Sequence, residues 1–152
     1  MNHPRRPPAA VLFSSPDDVE AQFYEALQAG DLARLMLLWA DDDEIVCVHP
    51  GGGRVVGAQA IAASFEAIFG HGPVPAVPEQ VHRLHTPGTA VHHLVERITV
   101  VTAEGQQQGW VLATNVYVKT AQGWRMVAHH ASAAPEPPKP LPSSSAPSST
   151  LH

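Results

Sequence analysis

The chain has 152 residues, 44% apolar and 15% charged, with a net charge of −5. That is enough for one core in one domain, and nine scattered Lys and Arg exclude a nucleic-acid backbone as partner, which needs clustered cations. No apolar run approaches the roughly 20 residues of a membrane span, the N-terminal apolar stretch is too short for a signal peptide, and one cysteine, Cys47, excludes an intrachain disulfide framework. The expectation is a soluble cytoplasmic protein.

Residues 1–12 are proline-rich and lack a periodic apolar pattern, and are expected to form a disordered arm. The first helix opens at Ser15-Pro16-Asp17-Asp18: serine caps, proline suits the first turn, and carboxylates suit the positive end of the dipole. Val19, Phe23, Ala26 and Leu27 recur at helical spacing, and Gly30 ends the element. Asp31 caps a second helix, LARLMLLWA, apolar almost all round and so expected to be buried on most faces. Residues 39–61 organise the rest: an acidic turn (Asp41, Asp42, Asp43), a short strand at 44–49 and a turn at Pro50 and Gly51 to Gly53. A short returning strand at 54–56 and a helix at 57–69 follow, with Ile61, Phe65, Ile68 and Phe69 on one stripe. The prolines of residues 70–78 predict a loop.

From residue 79 the pattern changes to strands at 79–86, 89–102, 107–120 and 124–132, separated by Pro87-Gly88, Glu104-Gly105 and Gln122-Gly123. Three helices followed by a meander predict an α+β cone, the helices packed in a strongly curved, mostly antiparallel sheet. The domain spans 13–133, and the Pro/Ser-rich residues 134–152 are expected to be a disordered tail. Trp110, Leu112, Val116 and Val118 alternate with Ala113, Asn115 and Tyr117, so both faces of that strand are apolar. One face meets the helices, and the other is expected to meet a second copy in a homodimer.

Three stretches, FYEALQAGDL, WADDDEIVCVHPGGGRVVGAQAI and NVYVKTAQGWRMVAHHAS, make the chain resemble the nuclear-transport-factor-2-like superfamily and its SnoaL-like branch. That superfamily includes ketosteroid isomerases, polyketide cyclases and a calcium/calmodulin-dependent kinase association domain. The resemblance implies a cone with a pocket for a small hydrophobic or amphipathic molecule. Where the isomerases carry a carboxylate-proline base, this chain has His49-Pro50. Where they carry an oxyanion tyrosine it has Phe23, next to Tyr24, and their proton-donating aspartate matches Asn115. All three positions differ, so steroid isomerisation is not implied.

His49 and Asn115 are the candidate catalytic pair, the imidazole as general base and the amide as oxyanion donor. The alternative for His49 is a structural hydrogen bond at the strand end. Adjacent strand residues point to opposite faces. Carrying over the family's parity turns His93, Val95, Arg97, Asn115, Tyr117, Ala128, His130 and Ser132 inward, and His92 and His129 outward. With Phe23 and Trp39, the expected pocket is Phe23, Trp39, His93, Arg97, Tyr117, His130 and Ser132. His49, His93 and His130 lie on separate strands without tight ligand spacing, so no metal and no cofactor are expected. Asp41 to Asp43 read as a solvated turn, and Cys47 as a buried, inert thiol. Three readings stay open: a small-molecule-binding protein, a cyclase- or isomerase-like enzyme using His49, and an oligomeric association module.

Overall fold

The computed structural model describes residues 13–139; the expected arm and most of the expected tail lie outside them. Helix α1 (Pro16–Ala29) starts where the capping signal sits, with Ser15 Oγ accepting the Asp18 amide at 3.1 Å, and stops at Gly30 with φ of 64°. That left-handed angle is one glycine adopts without a Cβ clash. Helix α2 (Leu32–Leu37) is capped by Asp31 but is shorter and less buried than expected. Leu35 is its buried residue and Leu37 faces solvent, while Leu38, Trp39 and Ala40 enter the core after the helix has ended. There the chain runs along the sheet, with an isolated bridge from Trp39 to Met126.

Strands β1 (Val46–Val48) and β2 (Arg54–Val56) flank the glycine turn, and α3 (Ala58–Phe69) follows Gly57, burying Ile61 and Phe65. The meander is β3 (Ala76–His85), β4 (Thr89–Thr102), β5 (Gly105–Thr120) and β6 (Gly123–Ala134). The six strands form one sheet in the order β2-β1-β6-β5-β4-β3, antiparallel except for β1 with β6. Strand β3 begins inside the expected proline loop, with Pro78 opposite Glu96. Proline is tolerated there because β3 is an edge strand, where one side of the ladder needs no donor.

Helices and inner sheet face meet in one core that includes Val19, Phe23, Tyr24, Leu27, Leu35, Ile61, Phe65, Leu94, Tyr117 and Met126. Two register shifts bend the sheet. One falls between Glu79 and His82, where Gln80 has φ of 53°, and the other sets Val116 opposite Ala128 but Tyr117 opposite Met126. The second leaves Val127 as the extra residue of a bulge, and it decides which β6 side chains face the helices.

Candidate functional site

Directly opposed residues in an antiparallel pair share a face. Asn115 pairs with His92 on β4 and with His129 on β6, and all three are buried on the helix side of the sheet. From the same side, α1 contributes Glu20 and Tyr24, four residues apart on one helix face. Glu96, four residues beyond His92 on β4, completes a polar patch inside an apolar core.

One network runs through its centre. His129 Nδ1–H donates to Asn115 Oδ1 at 2.5 Å, Asn115 Nδ2 donates to Tyr24 Oη at 3.1 Å, and Tyr24 Oη–H donates to Glu96 Oε2 at 2.7 Å. That carboxylate oxygen lies 3.9 Å from His129 Nε2, so the four side chains nearly close a ring. Burial sets the protonation states. It raises Glu96 to about 7, against the opposing pull of the Tyr24 hydrogen bond. Burial first, then the charges of His49 and His130, lower His129 to about 3. Tyr24 is held well above 10 by burial and by Glu96, so it stays a phenol. Near neutrality the ring therefore holds a neutral imidazole beside a carboxyl group poised to gain or lose a proton. Such a pair can hold a polar ligand group or exchange a proton with it.

His49 occupies the next position along. It is half-buried, with Nε2 2.9 Å from Ser64 Oγ and 3.7 Å from Cys47 Sγ, and its ring packs edge-on against Phe65 at 4.7 Å. Burial lowers its pKa. No hydrogen bond joins it to Asn115 among the described residues; His129 stands next to both, bonded to Asn115 and affected by the charge of His49. Cys47, opposite His129 in the β1–β6 register, is buried and pushed up to about 12 by burial and by Glu96.

Phe23, Trp39, Asn115 and Tyr117 are buried in the core, but the parity of two strands is corrected. His93 and Arg97 lie on the face opposite His92 and Glu96, and Arg97 is spent on an ion pair with Glu79 at 2.7 Å. His130 and Ser132 likewise lie on the face opposite His129, both exposed. The His49, His93 and His130 set considered for metal is therefore not brought together. Strand β4 has no register shift against β5, so it is His92, not His93, that shares Asn115's face, and the bulge at Val127 turns His129 inward. The sequence reading named neither Glu20 nor Glu96 for the site, preferred Phe23 to its neighbour Tyr24, and turned His92 and His129 outward. The two-residue turn between Thr102 and its partner Gly105 carried the signal for His92 and Glu96, since counting back from it pairs His92 with Asn115 and puts Glu96, four residues on, on the same face.

The outer face carries an open groove of about 560 Å³, lined among others by Val46, Val48, Thr114, Val116 and Ala128. No described helix is long and apolar enough to cross a membrane.

A curved sheet closed over helices is the architecture of NTF2-like proteins. The sequence matches the SnoaL-like domain over residues 17–136, and the chain belongs to that family. A structure from Thiobacillus denitrificans, assigned as a calcium/calmodulin-dependent protein kinase type II association domain, is 35% identical with a TM-score of 0.74. That alignment covers 81% of this chain and 98% of the other. An NTF2-like protein from Streptomyces avermitilis, assigned as a dehydratase, is 28% identical over 78% of this chain and 93% of its own, with a TM-score of 0.69. The CaMKII hub of S. rosetta shares the fold at 21% identity, covering 87% of this chain and all of that one, with a TM-score of 0.63. A search of curated proteins gives no match.

Proposed function

We propose that the protein binds a small, mostly apolar molecule bearing a hydroxyl or carbonyl group on the inner face of the cone. The observation that carries this is the ring of Tyr24, Glu96, Asn115 and His129. Four polar side chains from α1, β4, β5 and β6 converge where packing alone asks for apolar ones. Trp39 supports it: among the described residues its Nε1–H is the buried side-chain donor without a partner. An orphaned buried donor costs about 1–3 kcal/mol, which a ligand acceptor would offset. Should binding extend to turnover, Glu96 suits proton transfer near neutrality better than His49, the base expected from sequence.

The test is a ligand-observed NMR screen of small phenols, aryl ketones and aryl carboxylic acids. Hits that shift the Trp39 indole N–H, raise the melting temperature, and weaken on Glu96→Gln or Trp39→Phe substitution support the reading. A screen whose hits leave the Trp39 signal unmoved refutes it.

A second reading, an association module, is favoured by the apolar groove on the outer sheet face. The assignment of the Thiobacillus denitrificans relative as an association domain adds to it.

A further inference from the structure

Beside the ring, at the first turn of α1, a second group of side chains meets the β3–β4 hairpin. His92 is fully buried, and its Nδ1–H donates to Glu20 Oε1 at 2.9 Å; Tyr117 Oη–H donates to the same oxygen at 2.9 Å. With the proton held on Nδ1, His92 presents an Nε2 lone pair. That atom lies 2.9 Å from Nε2 of His85 and 3.9 Å from Oδ1 of Asp17. We propose that His85, His92 and Asp17 form a binding site for a divalent cation of the zinc class, with Glu20 and Tyr117 orienting the His92 ring.

Several independent features converge on this. Two imidazole nitrogens and a carboxylate oxygen are a donor set suited to Zn²⁺ and its neighbours, and a fourth position is left for water. Tetrahedral coordination at Zn–N distances of about 2.0–2.1 Å spaces ligand atoms roughly 3.3 Å apart. The two distances from His92 Nε2 bracket that value, although the group whose ligand atoms all lie within 4.8 Å of one another is Asp17, Glu20 and His92, without His85. His85 must retreat by a few tenths of an ångström and Asp17 must approach by somewhat more. Both have the freedom to do so, since His85 is exposed and Asp17 is 57% exposed. The buried partner, His92, is already fixed. A ligating histidine that passes its other N–H to a carboxylate is held in the right tautomer and ring orientation, and Glu20 does this while itself bonded by Tyr117. Asp17, Glu20 and His92 each place a ligand atom within 4.8 Å of the others, so Glu20 also stands close enough to balance the charge of the ion.

Two contacts compete, the first being the hydrogen bond that His85 Nε2–H donates to the His92 Nε2 lone pair, which an ion would replace as His85 carries its proton on Nδ1 instead. In the second, Arg83 Nε pairs with Asp17 Oδ1 at 2.8 Å, and both side chains are largely in solvent. Exposed pairs of this kind are weak, so a cation can displace the guanidinium or share the carboxylate with it. A bound ion would tie the start of α1 to the β3–β4 edge.

The experiment uses the full chain, stripped with EDTA, titrated calorimetrically with Zn²⁺ and followed by visible absorption with Co²⁺. Wild type is expected to bind one ion at this site and to give the intense Co²⁺ bands of a tetrahedral site. His85→Ala, an exposed change that leaves Glu20, His92 and Tyr117 intact, should weaken binding about tenfold or more and abolish those bands. Arg83→Gln should tighten binding by freeing Asp17. Uptake unchanged in both His85→Ala and Asp17→Asn would place the ion on other histidines and overturn the site, as would a wild type that binds no Zn²⁺.

Discussion

Asn115 takes the Nδ1 proton of His129 into a 2.5 Å hydrogen bond and spends its own amide N–H on Tyr24 at 3.1 Å. One neutral side chain thus satisfies an imidazole from β6 and a phenol from α1. Removing it should leave a buried donor and a buried acceptor unpaired. Asn115→Ala is expected to cost roughly 2–4 kcal/mol. It should read as a lower urea midpoint at unchanged m-value. A loss within experimental error would mean that water replaces the amide.

Cys47 should be inert in the native protein. It is fully buried and its thiol is pushed up to about 12, so both access and thiolate are scarce. Labelling with a disulfide reagent at about pH 8 should be a hundredfold or more slower than in denaturant, on the order of the local opening equilibrium. Labelling at the denatured rate would show that β1 opens readily.

Most elements were legible, and the inward face of the strands was not. Caps, turn residues and alternation placed the start of α1 at Pro16 and the whole of β4 at Thr89–Thr102, because those signals are local. Which histidine of each pair turns inward depends on register, and a slip of one residue moves every side chain to the other face. For β4 the information was present, in the tight turn between Thr102 and Gly105. For β6 it was not, since nothing in WRMVAHHAS marks Val127 as the residue that bulges. Glu20 and Tyr24 stand four apart on the buried face of α1, but their polar ends acquire meaning only from partners 72 to 97 residues away. The expectation of no metal rested on His49, His93 and His130, while the histidines that do approach each other, His85 and His92, are joined by a hairpin.

The outer face offers a direct test of association. Val116 lines the apolar groove there, away from the core. A homodimer formed through this face should dissociate on Val116→Lys, with the monomer keeping its far-UV circular dichroism. Sedimentation of the dilute wild type as a monomer would refute the dimer.

Glu96 and His129 should leave opposite marks on stability that hide each other. Glu96 is raised from 4.5 to about 7 by folding, so between those values the native state holds a proton that the unfolded chain has lost. Its contribution is present at low pH and is lost as pH rises through about 7. His129 is lowered from 6.5 to about 3, so between those values the unfolded chain holds the extra proton. Its contribution is present above 6.5 and is lost as pH falls towards about 3. Where the windows overlap, from 4.5 to 6.5, the two proton counts cancel and the pair adds no net slope. Each substitution should expose the other partner. Glu96→Gln keeps an acceptor for Tyr24 but does not titrate, so its stability relative to wild type should fall on acidification in that window. His129→Asn keeps a donor for Asn115, and its relative stability should fall as pH rises there. One uncompensated proton is worth about 1.4 kcal/mol per pH unit, an upper limit for each slope. Urea melts of the three proteins at several pH values measure the differences directly, since every other group contributes equally to all three. Curves that run parallel for wild type and both variants would show that neither group changes its pKa on folding. The neutral imidazole and poised carboxyl on which the proposed site depends would then be gone.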